Sequence, residues 1–264
     1  MLRFAVPVVI PSGLAPSLRS ARVVAIIPAR YHSTRLPGKP LALIDGRPMV
    51  EHVYRHAEAA RLVDAILVAT DDQRVAEVVD GFGGTAVLTD PTHATGTDRL
   101  AEVAGFLEGE LVVNVQGDEP LITGQAIDLA VQPCLHRGEE FISTLRRRIE
   151  DMSDLEAPSV VKVVVDREGY ALYFSRSRIP FVRPGEPTPV LWRHLGLYVY
   201  RRTFLLMLAG LAQTPLERAE GLEQLRVLEH GIRILTVETT VDSIGVDTPE
   251  DLERLRARLE GLRA

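Results

Sequence analysis

The sequence predicts an α/β fold, with a mostly parallel sheet covered by helices on both faces and a small β-rich insert. Three observations carry this. Apolar runs of strand length occur at 23–28 (VVAIIP), 65–70 (AILVAT), 85–89 (TAVLT) and 111–115 (LVVNV). Helical patterns separate them at the spacing of βαβ units. After residue 160 the helices thin out and strand-like runs follow one another closely, which points to antiparallel pairing.

Each element has its own reason. Run 23–28 holds no charged or hydrogen-bonding side chain, as in a strand buried on both faces. Residues 48–62 place Met49, Val50, Val53, Tyr54, Ala57 and Ala60 on one helical face. Asp71 or Asp72 can cap the next helix, which runs to about residue 79. Residues 97–107 read as a helix, and the strand at 111–115 ends in Gln-Gly-Asp. Further on, 160–165, 170–174, 195–200 and 232–237 are strand-like. The stretch 179–190 contains Pro180, Pro184, Pro187 and Pro189, which suits a loop without regular structure. A last helix opens at Thr248-Pro249, with Glu250 and Asp251 in its first turn. No internal repeat or low-complexity segment interrupts this order.

The 264 residues suffice for one large domain with a sizeable core. Residues 1–20 read as an N-terminal extension and 21–264 as the main domain, with 160–200 as its β-rich insert. A net charge of −6 argues against a broad nucleic-acid surface but permits a local basic pocket. The single cysteine, Cys134, excludes an internal disulfide framework and fits a reducing compartment. It lies in an apolar helical pattern, as a small core side chain would. The run 4–10 is too short, and too interrupted by Pro7, for a signal segment. No later run approaches the ~18 apolar residues of a membrane span. The expectation is a cytoplasmic protein without membrane or nucleic-acid partners.

The loop at 28–39 directly follows the first strand, where α/β folds place ligands. It carries Arg30, Arg35 and Lys39, the hydroxyls of Ser33 and Thr34, and Gly38. Guanidinium forks and an ammonium suit triphosphate oxygens. The loop contains neither the phosphate-binding G-x-x-x-x-G-K-[ST] nor the dinucleotide G-x-G-x-x-G, which disfavours a dinucleotide-dependent dehydrogenase. On composition alone, a solvated basic loop weighs evenly against a phosphate site.

Resemblance shifts that balance. The stretch VVAIIPARYHSTRLPGKPLALIDGRPMVEHV resembles the opening of the CMP-KDO synthetases, the 3-deoxy-manno-octulosonate cytidylyltransferases. GTDRLAEV, VVNVQGDEPLI, VKVVVDREGYALYFSRSRIPF, RHLGLYVYR, PLERAEGLEQLRVLEHG and GVDTPEDLERLRA are similar to successive blocks of that family, in order, from Arg22 to the C-terminus. The resemblance implies a three-layer Rossmann-like sheet of the nucleotide-diphospho-sugar transferase type. It implies the transfer of a cytidylyl group from CTP to 3-deoxy-D-manno-octulosonate (KDO), which activates KDO for lipopolysaccharide biosynthesis. A homodimer formed through the β-rich insert is implied as well.

The same resemblance assigns residues. Ala29, Arg30, Ser33, Arg35 and Lys39 would hold CTP, with Arg30 and Lys39 also catalytic. Thr97 and Arg99 would lie near the nucleotide. Thr97 reads equally well as a helix cap, and Asp98 stands where glutamate is usual. Asp118 and Asp247 would be catalytic ligands of Mg²⁺, although a turn and a helix cap are the plainer readings of the two. Gln116, Arg176, His194, Tyr198, Glu223 and Gln224 would face the sugar. For His194 and Tyr198 the alternative is core packing, and for Glu223 and Gln224 a solvated helix face. Glu119 receives no role. Rival readings are a synthetase for sialic acid or another sugar acid, and a non-catalytic nucleotide-binding protein on the same fold.

Overall fold

In a computed structural model, residues 14–33, 35–93, 95–136 and 142–261 are described. In chain order the elements begin with α1 (Pro16–Arg19), β1 (Val23–Pro28), β2 (Leu43–Ile44), β3 (Arg47–Pro48), α2 (Met49–Glu58), β4 (Ala65–Thr70) and α3 (Gln73–Gly81). They continue with β5 (Ala86–Leu88), α4 (Gly96–Gly105), β6 (Leu111–Asn114), α5 (Gly124–Val131), β7 (Ile142–Arg148) and α6 (Met152–Glu156). The remainder are β8 (Lys162–Val165), β9 (Ala171–Ser175), β10 (Trp192–Arg201), α7 (Arg202–Ala209), α8 (Pro215–Glu220), α9 (Gln224–Glu229), β11 (Ile234–Glu238) and α10 (Pro249–Gly261).

One sheet has the order β11-β7-β10-β6-β1-β4-β5. The β6, β1, β4 and β5 pairings are parallel, as is β11 with β7, and β10 runs antiparallel to both of its neighbours. Alternation along β1 explains the three layers. Val23, Ala25 and Ile27 pack with Val50 and Val53 of α2 and Ile127 of α5. Val24 and Ile26 face the opposite layer, with Leu100 of α4, Phe204 and Leu205 of α7, and Leu225 of α9. A strand with both faces covered needs a continuous apolar run, and VVAIIP supplies one.

Of residues 160–200, β8 and β9 form an antiparallel hairpin that branches from the sheet where β8 pairs with β10, and β10 lies in the main strand order. Between β9 and β10 the proline-rich stretch has no regular element. The run 4–10 and most of the N-terminal extension lie outside the described residues. Its described end is docked, since Leu14 and Leu18 pack against the α4–α7 layer.

Two corrections concern local structure. Around Cys134 the chain forms a 3₁₀ turn, Gln132–His136, rather than an α-helix. Cys134 is buried there, and burial pushes its thiol pKa up to about 11. The N-cap of α4 is Thr95, not Thr97. Thr95 Oγ1 accepts from the Asp98 amide at 3.2 Å, and the Asp98 carboxylate accepts from the Thr95 amide at 3.1 Å. This capping box uses the acid that stands in place of glutamate and leaves the Thr97 hydroxyl free for another partner.

Candidate active site

A cleft of about 1440 Å³ opens at the carboxyl ends of β1 and β6. All of the residues singled out above from the sequence for nucleotide, cation or sugar line it. Its size exceeds that of an ordinary small-ligand pocket.

The loop after β1 is held at its root. Ala29 N–H donates to Ala69 O at 2.8 Å, which extends the β1–β4 ladder by one residue. Gly38 N–H donates to Tyr31 O at 3.1 Å, closing the loop and setting Lys39 at the start of a 3₁₀ turn. Ser33 Oγ accepts from Leu36 N–H at 3.4 Å. Arg30 and Arg35 remain exposed at the mouth.

Opposite stands the turn after β6. Gly117 is needed there, because a Cβ would lie 2.6 Å from Pro28 O. Val246 N–H donates to Asp118 O at 2.8 Å, which brings the segment before α10 against this turn. Two carboxylates distant in sequence therefore converge on one cation: Lys39 Nζ lies 2.7 Å from Asp118 Oδ2 and 3.0 Å from Asp247 Oδ1. Arg35 adds a contact to Asp247 at 3.1 Å. Burial alone would lower the Lys39 pKa, but the charges and hydrogen bonds of Asp118 and Asp247 outweigh it and raise it. Capping of α10 does not consume Asp247. Thr248 and Asp251 cap that helix reciprocally, at 3.2 and 2.9 Å, so the Asp247 carboxylate faces the loop.

Arg99 is fully buried behind the loop. It contacts Asp71 Oδ2 at 3.1 Å and donates to the Thr89 hydroxyl. The other Asp71 oxygen accepts from Tyr31 N–H at 3.4 Å, so Asp71 connects Arg99 to the loop backbone. Asp72, rather than Asp71, caps α3 through the Arg74 amide at 2.9 Å. Thr97, facing the cleft, donates its hydroxyl to Glu223, which joins helix α4 to the start of α9.

The far wall is built on β10. His194 Nε2 lies 2.8 Å from Thr144 Oγ1. The single hydroxyl proton of Thr144 has a carbonyl acceptor in Leu197 O at 2.7 Å. That makes Nε2 of His194 the donor and leaves Nδ1 as an acceptor. Burial lowers the His194 pKa to about 3, so the ring is neutral. Tyr198 packs against it with ring centroids 5.3 Å apart, and the buried Tyr198 hydroxyl has no hydrogen-bond partner among the described residues. Gln116 and Gln224 complete this side. Arg176 is more constrained than its sequence context suggested. Its guanidinium donates to Glu220 O at 2.8 Å, Pro158 O at 3.0 Å and Gly221 O at 3.5 Å. A guanidinium has five N–H donors, so two remain for a ligand.

Sequence reasoning missed several cleft residues. Asn114 ends β6 with a buried side-chain oxygen that has no partner among the described residues, and Glu119 follows Asp118. Arg147 and Arg193 share Asp242 and come from β7 and β10. A strand ending in Asn, and an acid doubled beside Asp118, were the available signals for the first two.

The comparisons with known proteins agree with this geometry. A family model described as Cytidylyltransferase matches residues 24–234. The 3-deoxy-manno-octulosonate cytidylyltransferase of Geobacter metallireducens is 54% identical over 248 residues, covering 90% of this chain and 98% of the relative. The chain belongs to the 3-deoxy-manno-octulosonate cytidylyltransferase family. Another member, from Geobacter sulfurreducens, is 52% identical and covers 90% of this chain and 99% of its own. Among solved structures, a CMP:2-keto-3-deoxy-manno-octonic acid synthetase complexed with CTP superposes with a TM-score of 0.86 at 43% identity, covering 91% of this chain and 99% of that one. A nucleotidyl transferase from Methanothermobacter thermautotroptrophicus, 15% identical with a TM-score of 0.62, shares the fold over 91% of this chain and 99% of that one. The α/β architecture with its mixed sheet is thus that of the nucleotidyltransferases.

Proposed function

We propose that this enzyme joins CTP and KDO to give CMP-KDO and pyrophosphate, activating KDO for lipopolysaccharide biosynthesis. The observation that carries the reading is the double contact of Lys39 with Asp118 and Asp247, in a cleft with a cationic loop on one side and a polar, sugar-sized wall on the other.

In the proposed reaction the anomeric hydroxyl of KDO attacks the α-phosphate of CTP in line. A new phosphorus–oxygen bond forms, the bond to the β-phosphate breaks, and pyrophosphate departs with its electron pair. The hydroxyl proton passes to solvent. Arg30 and Lys39 stabilise charge on the departing oxygens, while Ala29, Ser33 and Arg35 hold the triphosphate. Thr97 and Arg99 support the nucleotide side. Gln116, His194, Tyr198, Glu223 and Gln224 orient the sugar, with Arg176 offering its two remaining donors to the sugar carboxylate.

Asp118 and Asp247 suit a hard divalent cation. Both carboxylates already converge on a positive charge, and Mg²⁺ takes one or two carboxylates together with substrate oxygens and waters. Among the described residues no cluster of three or more ligating side chains exists, so substrate would complete the coordination. When bound, Mg²⁺ would supply Lewis-acid charge to the phosphoryl transfer, held by Asp118 and Asp247.

The described helices include none long and apolar enough to cross a membrane, and the enzyme is proposed to be cytoplasmic. Residues 21–264 act as the nucleotidyltransferase unit in this reading, and 160–200 contribute to the sugar wall and to a homodimer contact. Exposed Leu172, Phe181 and Val190 favour such a contact. Pyrophosphate release, assayed with a panel of sugar acids and all four nucleoside triphosphates, tests the function. Turnover is expected with CTP and KDO. Preference for sialic acid or another acid would reassign the substrate.

A further inference from the structure

The partner of Glu119 is on strand β10. Between Leu195 and Tyr198 that strand slips against β7, so Gly196 and Leu197 form a bulge flanked by His194 and Tyr198. Pairing of β10 with β6 stops at Tyr198, beside the bulge. Bulged residues lose their ladder partners. Here two side chains take over. Thr144 Oγ1 lies 3.2 Å from Leu195 O and 2.7 Å from Leu197 O, on the β7 side. From the β6 side, Glu119 Oε1 accepts from Gly196 N–H at 3.1 Å. The approach is close: a Cβ on Gly196 would lie 3.0 Å from Glu119 Oε1 and 3.2 Å from Gln116 Cγ. Successive residues of one turn therefore serve different halves of the cleft. Asp118 holds Lys39, and Glu119 holds the strand that carries His194 and Tyr198.

We infer that Glu119 is a positioning residue for the transfer reaction, fixing the bulged strand of the sugar wall against the turn that presents Asp118. The inference rests on the cytidylyltransferase reading above. It requires an acceptor at Oε1, not a negative charge, so an amide serves in its place.

The test compares Glu119→Ala, Glu119→Gln and Gly196→Ala in the full chain. Glu119→Ala is expected to raise the KM for KDO about tenfold, the scale of one lost hydrogen bond of this kind. The dissociation constant for CTP should change less than about threefold. Glu119→Gln should restore most of the KM, and Gly196→Ala should reproduce the Glu119→Ala pattern by forcing the strand away. An unchanged KM for KDO in Glu119→Ala would overturn the inference. So would a Glu119→Gln variant no better than Glu119→Ala, or equal loss of CTP binding and KDO binding. Hydrogen exchange at the Gly196 amide gives a reading independent of turnover: protection should fall in Glu119→Ala and persist in Glu119→Gln. A wild-type protein that released no pyrophosphate with any sugar acid would sink the functional reading alone, and the amide would still judge the contact.

Discussion

Lys39 Nζ lies 2.7 Å from Asp118 Oδ2, and this ammonium occupies the place between two carboxylates where a divalent cation would bind. On the proposed metal role of Asp118 and Asp247, lysine and metal would compete for the same charge. Lys39→Met is expected to tighten Mn²⁺ binding to the nucleotide-free protein by about tenfold or more, since removing a cation at this range frees both carboxylates. It should at the same time lower kcat/KM by about 100-fold, the scale of one lost charge-stabilising group. Electron paramagnetic resonance titration of Mn²⁺ without CTP reads the first effect. Unchanged Mn²⁺ affinity would remove Lys39 from the cation site.

Asp118→Asn keeps the shape of the side chain and removes its charge. Turnover should fall by about 1000-fold or more, with thermal unfolding close to wild type. The Asp118 side chain is about one-third exposed, so the fold does not rest on it. An active Asp118→Asn would exclude it as a metal ligand.

The Asp71–Arg99 pair makes a different prediction. Arg99 is fully buried and the Asp71 side chain is 7% exposed. Asp71→Ala leaves the guanidinium without its counter-charge, which should cost about 3–5 kcal/mol in denaturant unfolding. A loss below about 1 kcal/mol would show that the pair is not a structural tie beneath the loop.

His194 links stability to pH. Burial depresses its folded-state pKa from 6.5 to about 3. The unfolded chain thus binds a proton below pH 6.5 that the folded chain refuses. Stability from this group is full above pH 6.5 and is lost as pH falls toward 3, at a slope of about 1.4 kcal/mol per pH unit. Between pH 6 and 5, His194→Asn should show a slope smaller by about one proton than wild type. Equal slopes would place the proton change elsewhere.

Much of this was legible in the sequence, for identifiable reasons. The runs 23–28 and 65–70 coincide with β1 and β4 because both are apolar and bounded by polar turns. Strand β7 went unread. Its residues ISTLRRR show no apolar alternation, since Ser143 and Thr144 are buried polar groups satisfied by hydrogen bonds that only the fold reveals. Helix α5 was read only as an unbounded apolar helical pattern around Cys134, and its end at a 3₁₀ turn was not. Thr97 looked like a cap because Thr95 and Asp98 are as good a capping pair as any nearby threonine, and a local pattern cannot choose between them. The cation site needed two aspartates far apart in the chain, and their convergence follows from one backbone bond, Val246 N–H to Asp118 O. Glu119 showed only as an acid doubled beside Asp118, and its role stayed hidden because the Gly196 amide it accepts from lies 77 positions away across the sheet.

The most direct measurement is mass spectrometry of the products after incubating the protein with CTP, KDO and Mg²⁺. The account predicts CMP-KDO and pyrophosphate in equal amounts, absent with Asp118→Asn. Folded protein that binds CTP tightly yet forms neither product with any sugar acid would contradict it and leave a nucleotide-binding protein without catalysis.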